Sequence, residues 1–345
     1  MKYLSLALFV LLSTAGRSAV LTLNNSNPSP GQYTTFAAAQ SAANSGDTIL
    51  VHGSATIYAN FSISKTLTLI GPGHKPQTTL GLAALVDMIS VSANGVILIG
   101  LKAGGVTGSA GISNVKIENC FLNTVVIGTN ANGWLISNSI FENTGAPAIT
   151  LSGASNATNL TVSNNIINSA NVLSGLGGSG TKLFSNNVFT WNGAGVLMAS
   201  GESARNVTFE NNIFYGITPN AGTQTTCVYN SNLSYLTSNN TLPPAGQTGS
   251  GNLVNVNPLF VNVFTPPAAS TFSYSQNYRL QTGSPALGAG TGGTHIGVYE
   301  PDFEFSMSGE PIRPQTSTLV TPTSVPLGGT IQANFTIRKA TTNAQ

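Results

Sequence analysis

Charge is what this chain has least of. Its 345 residues include 12 Lys and Arg and 10 Asp and Glu, so 6% are charged and the net charge is +2, against about a quarter charged in ordinary soluble domains. Past the N-terminal segment the basic residues are scattered, with Arg338-Lys339 the one adjacent pair. Nucleic-acid binding and polybasic membrane docking both need clustered Lys and Arg, and neither is expected here. Histidine and cysteine are also scarce. His52, His74 and His295 have no metal-ligand spacing, and Cys120 and Cys227 form no CxxC pair, so no metal and no cofactor is expected. Phosphate loops, dinucleotide-binding glycine fingerprints and serine-nucleophile elbows are missing as well.

Long apolar runs are missing too. Leu4 to Leu12 follows a short positive start and precedes the small residues Ser13, Ala15, Ser18 and Ala19. It is too short for a membrane span and reads as a secretory signal over residues 1–18, so the chain is expected to be secreted, extracellular or at the cell surface, without membrane insertion.

Asparagine and glycine fill the space that charge leaves, with 37 and 38 copies. Five copies of one phrase recur: Val115 to Leu122, Trp134 to Phe141, Leu160 to Ile167, Lys182 to Phe189 and Val207 to Phe214. Their anchoring asparagines Asn119, Asn138, Asn164, Asn186 and Asn211 lie 19, 26, 22 and 25 positions apart, which is a solenoid period. An apolar residue stands two before each anchor (Ile117, Ile136, Val162, Phe184, Phe209) and another two after it (Phe121, Ile140, Ile166, Val188, Ile213). That is the period of strands, and stacked copies are expected to pool both sets into one core. Asparagine suits the bend because it tolerates left-handed backbone angles and can bond from coil to coil in an amide ladder.

With these phrases the chain resembles the right-handed parallel β-helix proteins of the pectin-lyase-like superfamily, secreted bacterial type. A short amphipathic helix over Tyr33 to Ser45, then Gly46 to Val51 and Ile63 to Gly71, are similar to the family's capping helix and first coils. Asn257 to Val261, Tyr278 to Ala289 and Ile296 to Glu300 are similar to its closing coils. The resemblance implies an all-β fold: a single-stranded right-handed parallel β-helix over residues 19–300 with an N-terminal capping helix. Residues 301–345 read as a short C-terminal β extension, with β-like runs at Ser317 to Val320 and Thr330 to Arg338 around a Leu327-Gly-Gly329 turn.

Chemistry is sparse. Hydrolases of this superfamily group two or three carboxylates, whereas here Glu118 and Glu210 stand four coils apart, roughly 19 Å. The densest charged group is Lys182, Glu202, Arg205 and Glu210. Its ordinary reading is solvated surface charge, and its sharper one is a polysaccharide lyase in which Lys182 or Arg205 acts as base. Trp191 and Tyr215 stand at nearly equivalent positions of adjacent coils beside Asn168 and Asn192, so they can stack on sugar rings while the amides bond hydroxyls, unless the aromatics fill the core. Cys120 and Cys227 fall about 24 Å apart along the helix, beyond disulfide reach.

The expected function is therefore a noncatalytic surface or matrix protein that binds a polysaccharide or cell-surface glycan, or self-associates through residues 315–345 or the helix ends. The alternative is a polysaccharide lyase or glycoside hydrolase.

Overall fold

The computed structural model describes residues 18–26, 29–76, 81–153, 156–219, 222–266, 271–299, 305–311, 314–320 and 334–339, with only the backbone of Asn192 to Ala194 and of the last two segments. The expected signal segment, except for Ser18, and the expected Leu327 to Gly329 turn lie outside these residues.

Two parallel sheets run the length of the solenoid. The first is ten strands deep, from Val20–Leu23 to Val228–Asn230, and the second has twelve strands, from Phe61–Ile63 to Leu253–Val254. The register stacks Ile117, Ile136, Val162, Phe184 and Phe209 in one line. All five are buried in the lumen, and at the C-terminal end the line becomes an aromatic stack, with Phe184 5.3 Å from Phe209 and Phe209 4.7 Å from Tyr229. A single short strand cannot bury such a side chain; coils above and below do so, which is why the repeat folds only as an array.

The bend between the sheets divides the work of asparagine between two positions. The anchors Asn119, Asn138, Asn164, Asn186 and Asn211 all have φ between 52° and 56°, the left-handed conformation that asparagine tolerates better than other side chains bearing a Cβ. The amide ladder belongs instead to the next residue. Asn165 Nδ2 donates to Asn187 Oδ1 at 3.0 Å, Asn187 to Asn212 at 2.9 Å, Asn212 to Asn232 at 3.0 Å and Asn232 to Asn252 at 3.2 Å. Each ladder oxygen also accepts the backbone N–H of the preceding coil, as Asn187 Oδ1 does from Asn165 N. Ser139 and Cys120 continue the line toward the N-terminus, where Cys120 N donates to Ser139 Oγ.

The second sheet differs from expectation. The residues two after each anchor, Phe121, Ile140, Ile166, Val188 and Ile213, do not face the lumen; their neighbours Leu122, Phe141, Ile167, Phe189 and Phe214 do. The outward set is buried under a second layer that includes Phe260, Phe272, Tyr278, Ile296, Val298 and Phe305. Segments expected to be closing coils supply this layer. The parallel ladders end at Leu253–Val254, and Phe260–Asn262 pairs antiparallel with Asn277–Leu280 off the stack. The β-helix proper thus stops near residue 254 rather than 300, and the chain turns back as a strap. The cause is the apolar outer face of the second sheet, which would cost about 25 cal/mol for each Å² left in water.

The strap docks on the bends. Thr291 N donates to Asn211 Oδ1 at 2.8 Å, Gly297 N to Asn211 O at 2.9 Å, and Lys75 N to Ser308 O at 3.0 Å. The extension beyond it contains an antiparallel pair, Pro314–Val320 with Asn334–Lys339.

At the N-terminus the helix is shorter than expected, Phe36–Ala42, and a strand, Val20–Leu23, precedes it. Thr35 Oγ1 caps its start and Lys65 Nζ bonds the carbonyls of Gln40, Ser41 and Ala43 at its end, the favourable placement for a cation. Phe36 stacks on Phe61 at 4.4 Å.

Candidate functional site

The group of Lys182, Glu202, Arg205 and Glu210 does not form one site. In the register Lys182 follows Leu160 and precedes Val207, both lumen residues, so its stem points inward and it is 2% exposed. Its ammonium donates to the carbonyls of Gly178 at 2.8 Å, Gly180 at 2.7 Å and Arg205 at 3.1 Å. Three donors meet three acceptors, and no hydrogen is left for a substrate. Burial lowers the Lys182 pKa, with the nearby Cys227 acting in the opposite sense. Glu202 accepts Ser174 Oγ at 2.8 Å on one oxygen and Gly175 N at 2.9 Å on the other, fastening one coil's loop to the next. Arg205 is exposed. Glu210 pairs in register with Ser185 on the outer face of the first sheet, opposite to the face from which Lys182 projects. The four residues thus differ in setting: Lys182 is buried, Glu202 and Glu210 are partly exposed and Arg205 is exposed.

The aromatic platform is also taken apart by the register. Tyr215 pairs with Thr190, not with Trp191, and a one-residue offset in a strand reverses the side. Trp191 is half-buried against the lumen core, where the register shifts between Thr190 and Gly195. Tyr215 is 5% exposed under the strap, 5.3 Å from Phe260 and 6.0 Å from Tyr235, and burial raises its pKa. Asn168 is 1% exposed on the same covered face. The side chain of Asn192 lies outside the described residues.

The tertiary structure assembles a cluster that sequence reasoning missed, where the strap meets the third coil. His74 Nδ1 and Tyr274 Oη share a hydrogen bond of 2.9 Å, and the His74 ring stands edge-on to Phe121 at 5.6 Å. Lys75 Nζ lies 4.8 Å over the Tyr274 ring and Lys102 Nζ 4.8 Å over that of Phe121. Glu142 Oε1 accepts the N–H of Phe272 at 2.9 Å. Burial, helped by the charge of Lys102, lowers the His74 pKa to about 3, so its ring is neutral at pH 7. Among the described residues its Nε2 is buried without a hydrogen-bond partner, and it packs against Gly309. This cluster clasps the strap around a buried His74, with Lys75 at its exposed rim. One sequence signal pointed to it: each second strand opens with two adjacent apolar residues, as in Ile140-Phe141 and Ile166-Ile167, the mark of a sheet buried on both faces.

Parallel coils, a lumen core and an amide ladder are the features of a β-helix. Residues 99–246 match the family model for a right-handed β-helix region. No curated protein matches the chain.

What the right-handed β-helix leaves open is the outer face of the first sheet and the turn beside it. On the face, Thr161, Ser163, Leu183, Ser185, Thr208 and Asn230 are partly exposed in register. At the turn, Asn159 Nδ2 donates to Asn132 Oδ1 at 2.8 Å, Thr181 Oγ1 to Asn159 Oδ1 at 3.2 Å and Thr226 Oγ1 to Asn206 Oδ1 at 2.6 Å. Leu183 apart, these are uncharged donors and acceptors in rows about 4.8 Å apart, with the carboxylate of Glu210 standing between Ser185 and Asn230 in the same row. Among the described residues, no three His, Cys, Asp or Glu side chains converge as a metal site, and no helix is long and apolar enough to cross a membrane.

Proposed function

We propose that this protein is a secreted, noncatalytic β-helix of a cell surface or extracellular matrix, of pectin-lyase-like ancestry, that binds neutral polysaccharide along its first sheet. The observation that carries this reading is the use of the charged groups nearest to a catalytic arrangement: the Lys182 ammonium spends its three hydrogens on main-chain carbonyls, and each Glu202 oxygen accepts a bond from a neighbouring coil. A lyase needs a base free to reach a sugar proton, and this lysine is enclosed. A glycan surface needs amide and hydroxyl groups in an extended array, and the first sheet and its turn carry them.

Self-association by stacking of helix ends has less support. Thr22 N donates to Gln32 Oε1, and Thr22 O accepts from Tyr33 N, so the outer edge of the first strand is already partly paired. Such blunting disfavours addition of another chain.

The test is pull-down of the mature protein with insoluble neutral polysaccharides, with Ser185→Arg and Thr161→Arg on the flat face. Retention of the wild type and its loss in both variants is the expected result. Release of reducing ends or of unsaturated uronates, with calcium present or absent, overturns the noncatalytic reading.

A further inference from the structure

Asp47 is 4% exposed and has both oxygens committed. Oδ2 accepts Asn44 N at 2.7 Å and Oδ1 accepts Ala19 N at 2.7 Å. These two bonds, with a smaller contribution from the charge of Lys65, hold its carboxyl below the usual range. Ala19 O in turn accepts Thr48 N at 2.9 Å, so the first sheet takes up the chain at this residue. A buried carboxylate is therefore aimed at the main-chain nitrogen of Ala19, one residue after Ser18, whose Oγ donates to Gly46 O at 2.7 Å.

That nitrogen also follows a bond suited to leader removal. Small residues three and one positions before a cut direct a leader peptidase, and Gly16 and Ser18 occupy those places ahead of Ala19. A cut after Ala15 would leave Gly16, Arg17 and Ser18 ahead of the strand. A cut after Ala19 would put Arg17 at the outer recognition position and discard the nitrogen that Asp47 holds.

We propose that export cleaves the chain between Ser18 and Ala19 and that the new α-ammonium of Ala19 forms an ion pair with Asp47. The peptidase hydrolyses the amide with one water: the oxygen goes to the Ser18 carboxylate, the C–N bond breaks, and both protons of the water end on the Ala19 nitrogen, giving its ammonium. An ammonium in this place donates to Oδ1 as the amide does and also neutralises the carboxylate, a stronger bond than its uncharged counterpart. The first strand is thereby locked to the second coil by the act of maturation. The inference rests on the export reading for the cut, while the ion pair can be tested without it.

Two experiments separate these parts. Intact-mass measurement of the protein exported from a bacterial host with its own leader is expected to give a chain beginning at Ala19. An exported chain that begins at Gly16 or Val20 overturns the site while leaving export standing; an uncut chain retained in the cell overturns both. Separately, the protein is prepared with Ala19 as its first residue, and acetylation of its α-amine is compared in the folded and urea-unfolded states at pH 8. Folded-state labelling slower by about fivefold or more is expected, the drop in free amine that one pKa unit of raised basicity gives at pH 8 for an α-amine of ordinary pKa near 8. Asp47→Asn abolishes that protection, and where this variant does not fold, equal labelling of folded and unfolded wild type by itself overturns the ion pair.

Discussion

His74 and Tyr274 are 200 residues apart in the chain and share a 2.9 Å hydrogen bond. The pair joins the third coil to the strap that returns over the second sheet, and it is expected to contribute to the acid response of the fold. The unfolded chain protonates His74 near its ordinary pKa of 6.5, whereas the folded chain holds it neutral down to about 3. Across that window the unfolded state binds the extra proton, so stability falls as pH falls, at about 1.4 kcal/mol per pH unit for one such group. The expected result is a steeper loss of Tm between pH 6.5 and 4 for wild type than for His74→Phe. Parallel profiles would show that this ring does not set the acid response.

The two asparagines of the bend are expected to differ sharply. Asn165 connects three coils through its amide, with Nδ2 donating to Ile136 O and Asn187 Oδ1 and Oδ1 accepting Ser139 N. Asn165→Ala orphans buried groups on both sides, with a cost of about 2–4 kcal/mol. Asn164 has φ 55° and an Nδ2 without a partner among the described residues. Asn164→Gly keeps the left-handed turn without strain and should cost under about 1 kcal/mol. Urea denaturation midpoints of the two variants check the difference.

Lys182→Met keeps the apolar stem and removes the ammonium, leaving the carbonyls of Gly178, Gly180 and Arg205 without their shared donor. A loss of about 2–4 kcal/mol is expected, with retention on polysaccharide unchanged at temperatures where the variant is folded. Normal stability together with a lost activity would instead mark Lys182 as a chemical group.

Ile166 and Ile167 are adjacent, fully buried and on opposite faces of the second sheet, one under the strap and one in the lumen. Replacing either with Ala is expected to cost about 2–5 kcal/mol. A negligible effect at Ile166 would mean that the strap contributes little to stability.

Cys120 and Cys227 are both buried and free. Burial pushes the Cys120 thiol up to about 12 and raises that of Cys227, and a thiol in that state is a poor nucleophile. Folded protein at pH 8 should resist thiol reagents and show two free thiols after unfolding, with no change on reduction.

The repeat itself was legible from single residues. Each anchoring asparagine with apolar partners at fixed offsets specifies a strand, a bend and a strand, and these close only by stacking, so the parallel coils, the left-handed bends and the separated cysteines follow from local pattern. The covered face was half legible. Paired apolar residues such as Ile140-Phe141 announce a sheet buried on both sides, but nothing nearby in sequence says what covers it.

The remaining features depend on contacts between distant segments and on register. That Lys182 points into the lumen while Glu210 points out, and that Trp191 and Tyr215 fall on opposite faces, follows from which residue pairs with which across coils of unequal length. A shift of one position reverses a side chain, and loops of varying length between repeats hide that shift from sequence spacing. The strap is governed by the same limit: Phe260, Phe272 and Ile296 are ordinary apolar residues until the fold brings them to Ile140, Ile166 and Ile213. Local periodicity thus determined that this chain winds into a β-helix, while the packing of segments far apart in sequence decided which of its faces meet water.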